Sequence, residues 1–161
     1  MSAALDRAQT GSTQLRNVAW CLSNFMKGKV APPLDLILPA VPALIRALQR
    51  TEQDVVILDI IWGLSFLTAD SNPASLNTII NAGGIPILIR LLEHANLQIS
   101  IPALRTIGNI LASHDREVSG VVINAGILEL YSRMIDHNKQ VMRKEVAWCL
   151  ANVTAESSEM V

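Results

Sequence analysis

Four segments of this 161-residue chain repeat one another at a nearly constant spacing. These segments are RNVAWCLSNF, LDIIWGLSFL, IPALRTIGNI and RKEVAWCLAN. Their matching anchor positions are Trp20, Trp62, Arg105 and Trp148, so the spacings are 42, 43 and 43 residues. Periods of about 40 to 47 residues are typical of helical solenoids, in which each repeat packs only on its neighbours. The period therefore predicts a stack of similar helical units.

A second pair of segments has the same period. NAGGIPILIRLL begins at Asn81, and NAGILELYSRMI begins 43 residues later at Asn124. Glycine commonly ends a helix and proline commonly lies near the start of one, so Gly83, Gly84 and Gly126 predict the end of a short helix before a medium one. Each repeat then consists of a short, a medium and a long helix.

This layout predicts the position of each helix. The medium helices are expected at residues 36–49, 86–94 and 127–135, and the long third helices at 14–27, 52–68, 99–113 and 141–154. Residues 15–161 would then form about three full repeats and a leading third helix, after a leader or ragged helix start at 1–14. Because both terminal faces would lack a neighbour, we also expect end-to-end self-association through Val18, Leu22, Phe25, Val146, Leu150 and Val153.

Composition excludes several classes of function. Half of the residues are apolar, 17% are charged and the net charge is −1, so no overall field would attract nucleic acid or an anionic membrane. No apolar run is long enough for a membrane span. Cys21 and Cys149 lack metal-site spacing, and His94, His114 and His137 fall near predicted turns without a catalytic motif beside them. We expect no enzyme activity, no metal and no cofactor.

Each long helix carries an apolar stripe at helical spacing, which should face the core. The four stripes are Val18, Cys21, Leu22 and Phe25; Ile60, Gly63, Leu64 and Leu67; Ala103, Thr106, Ile107 and Ile110; and Val146, Cys149, Leu150 and Val153. Cys21 and Cys149 have the same place in their repeats. Both are therefore expected to be small buried residues.

The anchor residues lie off these stripes, and each has a partner one helical turn later. The pairs are Trp20 with Asn24, Trp62 with Phe66, Arg105 with Asn109, and Trp148 with Asn152. The residue three positions after each anchor is small: Ser23, Ser65, Gly108 and Ala151. Small residues there would let a ligand backbone approach closely. The stack should thus present parallel rows of Trp and Asn on one surface.

These rows predict the chemistry of a ligand. Asn amides can pair with the main chain of an extended peptide, and Trp faces can hold the aliphatic stem and cation of Lys or Arg. Acidic residues recur beside the anchors, with Asp59 and Glu145 three residues before Trp62 and Trp148, and Asp70 and Glu156 eight residues after. The predicted ligand is an extended peptide rich in Lys and Arg. The simpler alternative is that each Trp packs on its neighbour and each Asn caps a turn.

The segments WCLSN, PALRTIGNI and WCLANVTA resemble the third helices of the importin-alpha (karyopherin-alpha) family, from about Leu15 to the end of the chain. The resemblance implies a right-handed superhelical solenoid of armadillo repeats that binds nuclear localisation signals in the cytoplasm and nucleus. It implies that Trp20 and Asn24 end the major signal site, and that Trp148 and Asn152 belong to the minor site, with Glu145 as an acidic contact. Arg105 and Asn109 match central repeats, where the family replaces Trp by Arg.

Two features set limits on this resemblance. The family binds importin-beta through a basic amino-terminal arm, and residues 1–14 do not resemble that arm. Phe66 stands where an Asn would complete its pair, which predicts a gap in backbone pairing. The alternative function is that of a catenin-like armadillo scaffold with an acidic or apolar partner. Such scaffolds place cations along the groove, whereas here only Lys27 and Arg105 are expected to project there.

Overall fold

The structure is a computed structural model that describes residues 13–27, 33–113 and 115–158. Its helices are α1 (Thr13–Met26), α2 (Leu34–Ile37), α3 (Val41–Arg50), α4 (Asp54–Leu67), α5 (Pro73–Asn81), α6 (Gly84–Leu92), α7 (Leu97–Leu111), α8 (Arg116–Asn124), α9 (Ile127–Met134) and α10 (Gln140–Ser158), with a 3-10 turn at Leu38–Ala40. The described residues contain no strand, so the predicted all-α class is confirmed. Most of the predicted leader, and His114, lie outside these residues.

The helices form the predicted repeats. Helices α5 to α7 make one complete short, medium and long set, and α8 to α10 make the next. The long helices stack in sequence order, α1 on α4, α4 on α7 and α7 on α10. This stacking confirms the solenoid and the order of helices expected from the period.

Local signals in the sequence account for where the helices begin. The side chain of Asn72 caps α5 by accepting a hydrogen bond from the backbone N–H of Ala74 at 3.0 Å, and Asn96 caps α7 in the same way through Gln98. Gly83 and Gly126 lie between the short and medium helices with φ of 76° and 87°. Because L side chains are strained at positive φ, glycine is the residue that suits both turns.

Two details of the predicted layout are wrong. The medium helix expected at residues 36–49 is divided into α2, the 3-10 turn and α3, because Pro39 and Pro42 each lack an N–H for helical hydrogen bonding. Gly84 is the first residue of α6 rather than the end of α5. A Cβ at Gly84 would lie only 2.7 Å from a side-chain carbon of Ile79, so the close packing of the two helices requires a glycine there.

The core predictions hold best in the central repeats. All four stripe residues of α4 and all four of α7 are buried, and Cys149 of α10 is buried as well. Burial raises the pKa of the Cys149 thiol to about 12, as expected for an unreactive core cysteine. Cys21 and Phe25 of α1 are exposed, contrary to prediction. The core face of α1 is instead formed by Leu15, Ala19, Leu22 and Met26.

The difference between the two cysteines follows from their neighbours. Cys149 is covered by α7, where its thiol donates to the carbonyl oxygen of Leu104 at 3.6 Å. Among the described residues no long helix stacks on the opposite side of α1, so the same position at Cys21 meets solvent. Leu22 and Val146, two of the six residues predicted to mediate end-to-end self-association, are buried within the chain. End-to-end self-association therefore stays a prediction.

None of the described helices is by itself long and apolar enough to cross a bilayer, and α5 and α6 meet that test only as a pair bent by 85°.

Candidate functional site

The four anchor residues lie at equivalent positions on the stacked long helices α1, α4, α7 and α10. Trp20 is 58% exposed and Trp148 is 39% exposed, while Trp62 and Arg105 are half-buried. None of the four belongs to the buried core, which confirms that the anchors lie off the apolar stripes. We call this row, with the residues four positions later, the anchor ridge.

A cavity of about 300 Å³ lies between the first two anchors, and we call it the Trp20–Trp62 slot. Its walls are Trp20, Ser23, Asn24, Lys27, Leu58, Asp59, Trp62 and Phe66. The Trp62 and Phe66 rings stack with their centroids 5.8 Å apart and an interplanar angle of 27°, which holds the Trp62 ring in place. The structure thus brings Trp20, Asn24, Asp59 and Trp62 together, as the sequence predicts.

Asp59 is the acidic group of this slot. It is half-buried, and the loss of hydration raises the pKa of its carboxyl above the ordinary value, an effect that the nearby Arg16 guanidinium partly opposes. A partly desolvated carboxylate gains more from a cationic partner than one in open water. Lys27 lines the same slot, so the slot contains one acidic and one basic side chain.

The next acidic candidate has a partner within the chain. Arg105 of α7 donates from a guanidinium nitrogen to a carboxylate oxygen of Glu145 on α10. The Glu145 side chain is only 15% exposed, whereas that of Arg105 is 43% exposed. The sequence placed both residues at the site but did not indicate that they pair. Their ion pair neutralises the only anchor cation and links two repeats.

The asparagines of the anchor ridge are hydrogen-bond donors within the chain. Asn109 donates to the carbonyl oxygen of Ser65 and to the hydroxyl of Thr68, both at 3.1 Å. Asn152 donates to the carbonyl oxygen of Gly108, also at 3.1 Å. Each therefore binds the preceding long helix at the small residue three positions after its anchor. Sequence reasoning missed this link between repeats.

Asn24 differs from these two. Its amide donates to the carbonyl oxygen of Trp20, 2.9 Å away on the same helix. Its contact stabilises no neighbouring repeat, so the Asn24 amide can exchange this local bond for one to a ligand. Among the described residues, no donor is hydrogen-bonded to the side-chain oxygen of these three asparagines. These oxygens can therefore accept hydrogen bonds from a ligand.

This contrast predicts a difference in stability between two variants. Asn109→Ala should lower the free energy of unfolding by about 1–2 kcal/mol, because two hydrogen bonds to α4 are lost. Asn24→Ala, the matched control, should change it by less than about 0.5 kcal/mol, since an exposed bond within one helix is replaced by water. Urea denaturation followed by circular dichroism measures both. Equal effects would show that the Asn109 bonds do not hold the repeats together.

Gly108 and Ser65, two of the four small residues between the anchors, contact the chain itself instead of leaving space for a ligand as predicted. A Cβ at Gly108 would lie 2.2 Å from the Trp148 ring and 2.8 Å from the Cys149 sulfur. The space above Gly108 is therefore filled by the tryptophan of the next repeat rather than left for a ligand. Ser65 is buried, and its hydroxyl donates to the Trp62 carbonyl oxygen at 2.8 Å.

Of the remaining predicted acidic residues, Asp70 does not line the Trp20–Trp62 slot. The Asp70 carboxylate is exposed and accepts a hydrogen bond from the backbone N–H of Asn72 at 3.2 Å, in the turn before α5. The side chain of Glu156 lies outside the described residues. His94 and His137 lie in turns, where each ring accepts from a backbone N–H two residues later.

A second cavity, of about 420 Å³, lies on the other side of Trp62, and we call it the Trp62–Pro102 slot. Its walls are Leu58, Trp62, Leu97, Gln98, Ile101 and Pro102. Apart from Trp62, sequence reasoning assigned none of these residues to the site. The sequence does contain a spacing that could have identified two of them. Gln98 and Ile101 precede the anchor Arg105 by seven and four residues and so lie on the same face of α7.

Comparison with known families identifies the repeat. The sequence model of the armadillo/beta-catenin-like repeat matches residues 72–112 and 115–155, which are the two complete three-helix sets α5 to α7 and α8 to α10. The chain belongs to the armadillo-repeat family. Armadillo repeats are thus the unit behind the 43-residue period.

Relatives of this armadillo chain include importin alpha subunits from plants. It is 34% identical to importin subunit alpha-1a of Oryza sativa subsp. japonica over 152 residues, which cover 94% of this chain and 28% of the relative. It is 37% identical to importin subunit alpha-3 of Arabidopsis thaliana over 139 residues, 86% of this chain and 26% of the relative. The chain therefore spans little more than a quarter of the length of these relatives.

Solved structures with the same fold are designed armadillo repeat proteins. One, in complex with the peptide (KR)4, has a TM-score of 0.78 and 23% identity, and the match covers 94% of this chain and 62% of the designed one. Another, designed for modular peptide recognition, has a TM-score of 0.81 and 22% identity over 96% of this chain and 63% of its own. At this level of identity the likeness concerns the fold.

Proposed function

We propose that this chain is part of a nuclear import adaptor that binds Lys/Arg-rich nuclear localisation signals along its anchor ridge. The observation that carries the proposal is the Trp20–Trp62 slot, where two indole rings flank a partly desolvated carboxylate. The relatives named importin subunit alpha support the role in import, and the designed protein of the same fold in complex with (KR)4 supports the basic ligand. The corresponding localisation is the cytoplasm and nucleus.

The proposed binding mode follows from the geometry of the slot. The aliphatic stem of a Lys or Arg packs between Trp20 and Trp62, where its methylenes are buried and its cation is attracted to the indole faces. The cation reaches Asp59, and the peptide main chain pairs with the Asn24 amide. Asn109 and Asn152 offer their side-chain oxygens further along the ridge, and Trp148 flanks the far end.

Partner assignments outside the ridge rest only on the resemblance to the importin-alpha family. Contact with importin-beta is proposed only through a basic arm of the importin alpha kind, which the sequence of residues 1–14 does not resemble. Nucleic acid and membranes are not proposed as ligands, since the chain has a net charge of −1.

A peptide titration tests the proposal directly. Fluorescence anisotropy with a labelled peptide that contains consecutive lysines should show saturable binding, and an acidic peptide of equal length should not bind. Binding should weaken as salt increases, because the attraction to Asp59 is partly screened. If both peptides bind equally, or neither binds, the proposed function is wrong.

The charge of Asp59 should account for part of the affinity. Asp59→Asn is expected to weaken binding of the lysine peptide about fivefold to tenfold, because a neutral amide cannot form a charge-assisted bond to the cation. Asp136→Asn, an exposed carboxylate in the last repeat, is the matched control and should have no effect. An unchanged affinity for Asp59→Asn would remove that carboxylate from the site.

The pH dependence has a definite sign. Binding requires the Asp59 carboxylate, and the pKa of this group is raised above 3.8 in the free protein. Affinity should therefore be full at neutral pH and fall as the pH drops through that raised pKa, at a higher pH than for an ordinary aspartate. The Asp59→Asn variant should lose this dependence.

The alternative is a catenin-like scaffold with an acidic or apolar partner. Such a scaffold needs several cations along its ridge, but of the two expected there the Arg105 guanidinium is paired with Glu145, which leaves Lys27. The acidic control peptide in the titration distinguishes the two functions, because a scaffold of this kind would bind the acidic peptide more tightly than the basic one.

A further inference from the structure

The two slots on either side of Trp62 are adjacent and share part of their lining. Leu58 and Trp62 line both the Trp20–Trp62 slot and the Trp62–Pro102 slot. A single extended ligand that crosses the Trp62 ring therefore meets both cavities in turn. The long helices pack about 8–10 Å apart, and an extended peptide rises about 3.3 Å per residue, so the slots are separated by about three peptide residues.

The slots differ in charge. The Trp20–Trp62 slot contains the Asp59 carboxylate, whereas the six residues that line the Trp62–Pro102 slot include no charged group. The next anchor along the ridge is Arg105, whose charge is neutralised by Glu145. A ligand cation in the second slot would lose hydration without gaining an anionic partner.

The second slot offers apolar contact instead. Leu58, Leu97 and Ile101 are partly buried and pack against the core, and the buried Pro102 also lines the slot. Gln98 is the one polar side chain on its rim. The chemistry of these walls suits a branched aliphatic side chain, whose burial removes apolar surface on both partners from water.

We propose that the Trp62–Pro102 slot holds an apolar side chain of the same peptide whose Lys or Arg lies in the Trp20–Trp62 slot. This inference rests on the proposed function and narrows its ligand class. The chain then recognises a peptide in which a basic residue and an apolar residue such as Leu or Ile are separated by about three positions, in one of the two directions along the peptide. A peptide with basic residues at both positions fits the ridge less well.

A leucine scan tests the proposal. A lysine-containing peptide with alanine on both sides is compared with versions in which a single Leu, Lys or Glu occupies each alanine position in turn. Leucine at one position, about three residues from the lysines, should tighten binding about fivefold to tenfold. Lys or Glu at that position should give no gain, and the leucine gain should persist at high salt, since apolar burial is not screened.

A variant that adds the missing charge tests the location. Gln98→Glu is exposed and lies in the first turn of α7, where a carboxylate is favourable, so the fold should tolerate it. It should convert the preference at the scanned position from Leu to Lys. Asn77→Glu, exposed on α5, adds the same charge away from both slots and should leave the leucine preference unchanged.

The outcomes separate this inference from the proposed function. If no lysine peptide binds, the proposed function fails. If lysine peptides bind but every scanned position accepts Leu, Lys and Glu equally, or Gln98→Glu behaves like Asn77→Glu, the second slot takes no peptide side chain and this inference is wrong.

Discussion

Trp62→Ala should weaken the binding of a lysine-rich peptide by about a hundredfold, the largest effect expected for a single ridge residue. Trp62 is the wall shared by both slots, so its removal opens the Trp20–Trp62 slot and the Trp62–Pro102 slot together. Truncation of a central aromatic residue in a binding site commonly costs 2 kcal/mol or more, and about 1.4 kcal/mol corresponds to tenfold in affinity, so the expected hundredfold is a loss of about 2.8 kcal/mol. Anisotropy titration measures the loss.

Two further variants make this result interpretable. Trp62→Phe keeps an aromatic wall and the contact with Phe66, and should lose less affinity than the alanine variant. Leu128→Ala truncates an apolar side chain on α9 that is 42% exposed, and should bind as the parent chain does. If Trp62→Ala keeps its affinity while circular dichroism shows an intact fold, the peptide does not lie on this ridge.

Gly108→Ala and Gly120→Ala should change stability in opposite directions. At Gly108 the new methyl group would overlap the Trp148 ring, and the displaced ring and neighbouring Cys149 should cost about 1–3 kcal/mol. At Gly120, in the middle of α8, an added Cβ would meet no packing neighbour within 4 Å, so alanine should stabilise the helix by about 1 kcal/mol. Thermal unfolding followed by circular dichroism measures both.

The two glycine variants also test the contact between Trp148 and Gly108. Because Trp148 rests on Gly108, the alanine variant should shift Trp148 fluorescence, while Gly120→Ala should leave it unchanged. Stabilisation by both substitutions would show that the Trp148 ring moves aside freely and does not rest on α7. The contact between Trp148 and Gly108 would then not contribute to the stability of the last repeat.

The sequence by itself determined the repeat and the order of its helices. The 43-residue period is visible in the sequence directly, and the glycines at Gly83 and Gly126 act over a few neighbouring residues, so their effect can be predicted without knowing the fold. Apolar spacing gave the buried faces of α4 and α7, because both are covered by neighbours on two sides. The positions of Trp20, Asp59 and Trp62 followed from the same spacing.

Only the tertiary structure decided what these residues contact across repeats. Cys21 and Cys149 share one repeat position, yet one is exposed and the other buried, because burial depends on the helix that packs alongside. The Arg105–Glu145 ion pair and the hydrogen bonds of Asn109 and Asn152 join residues that are 40 to 44 positions apart in the sequence. Such contacts depend on the lateral offset between stacked helices. Side-chain spacing within one helix carries no record of that offset, so the apolar slot beside Trp62 emerged only from the folded chain.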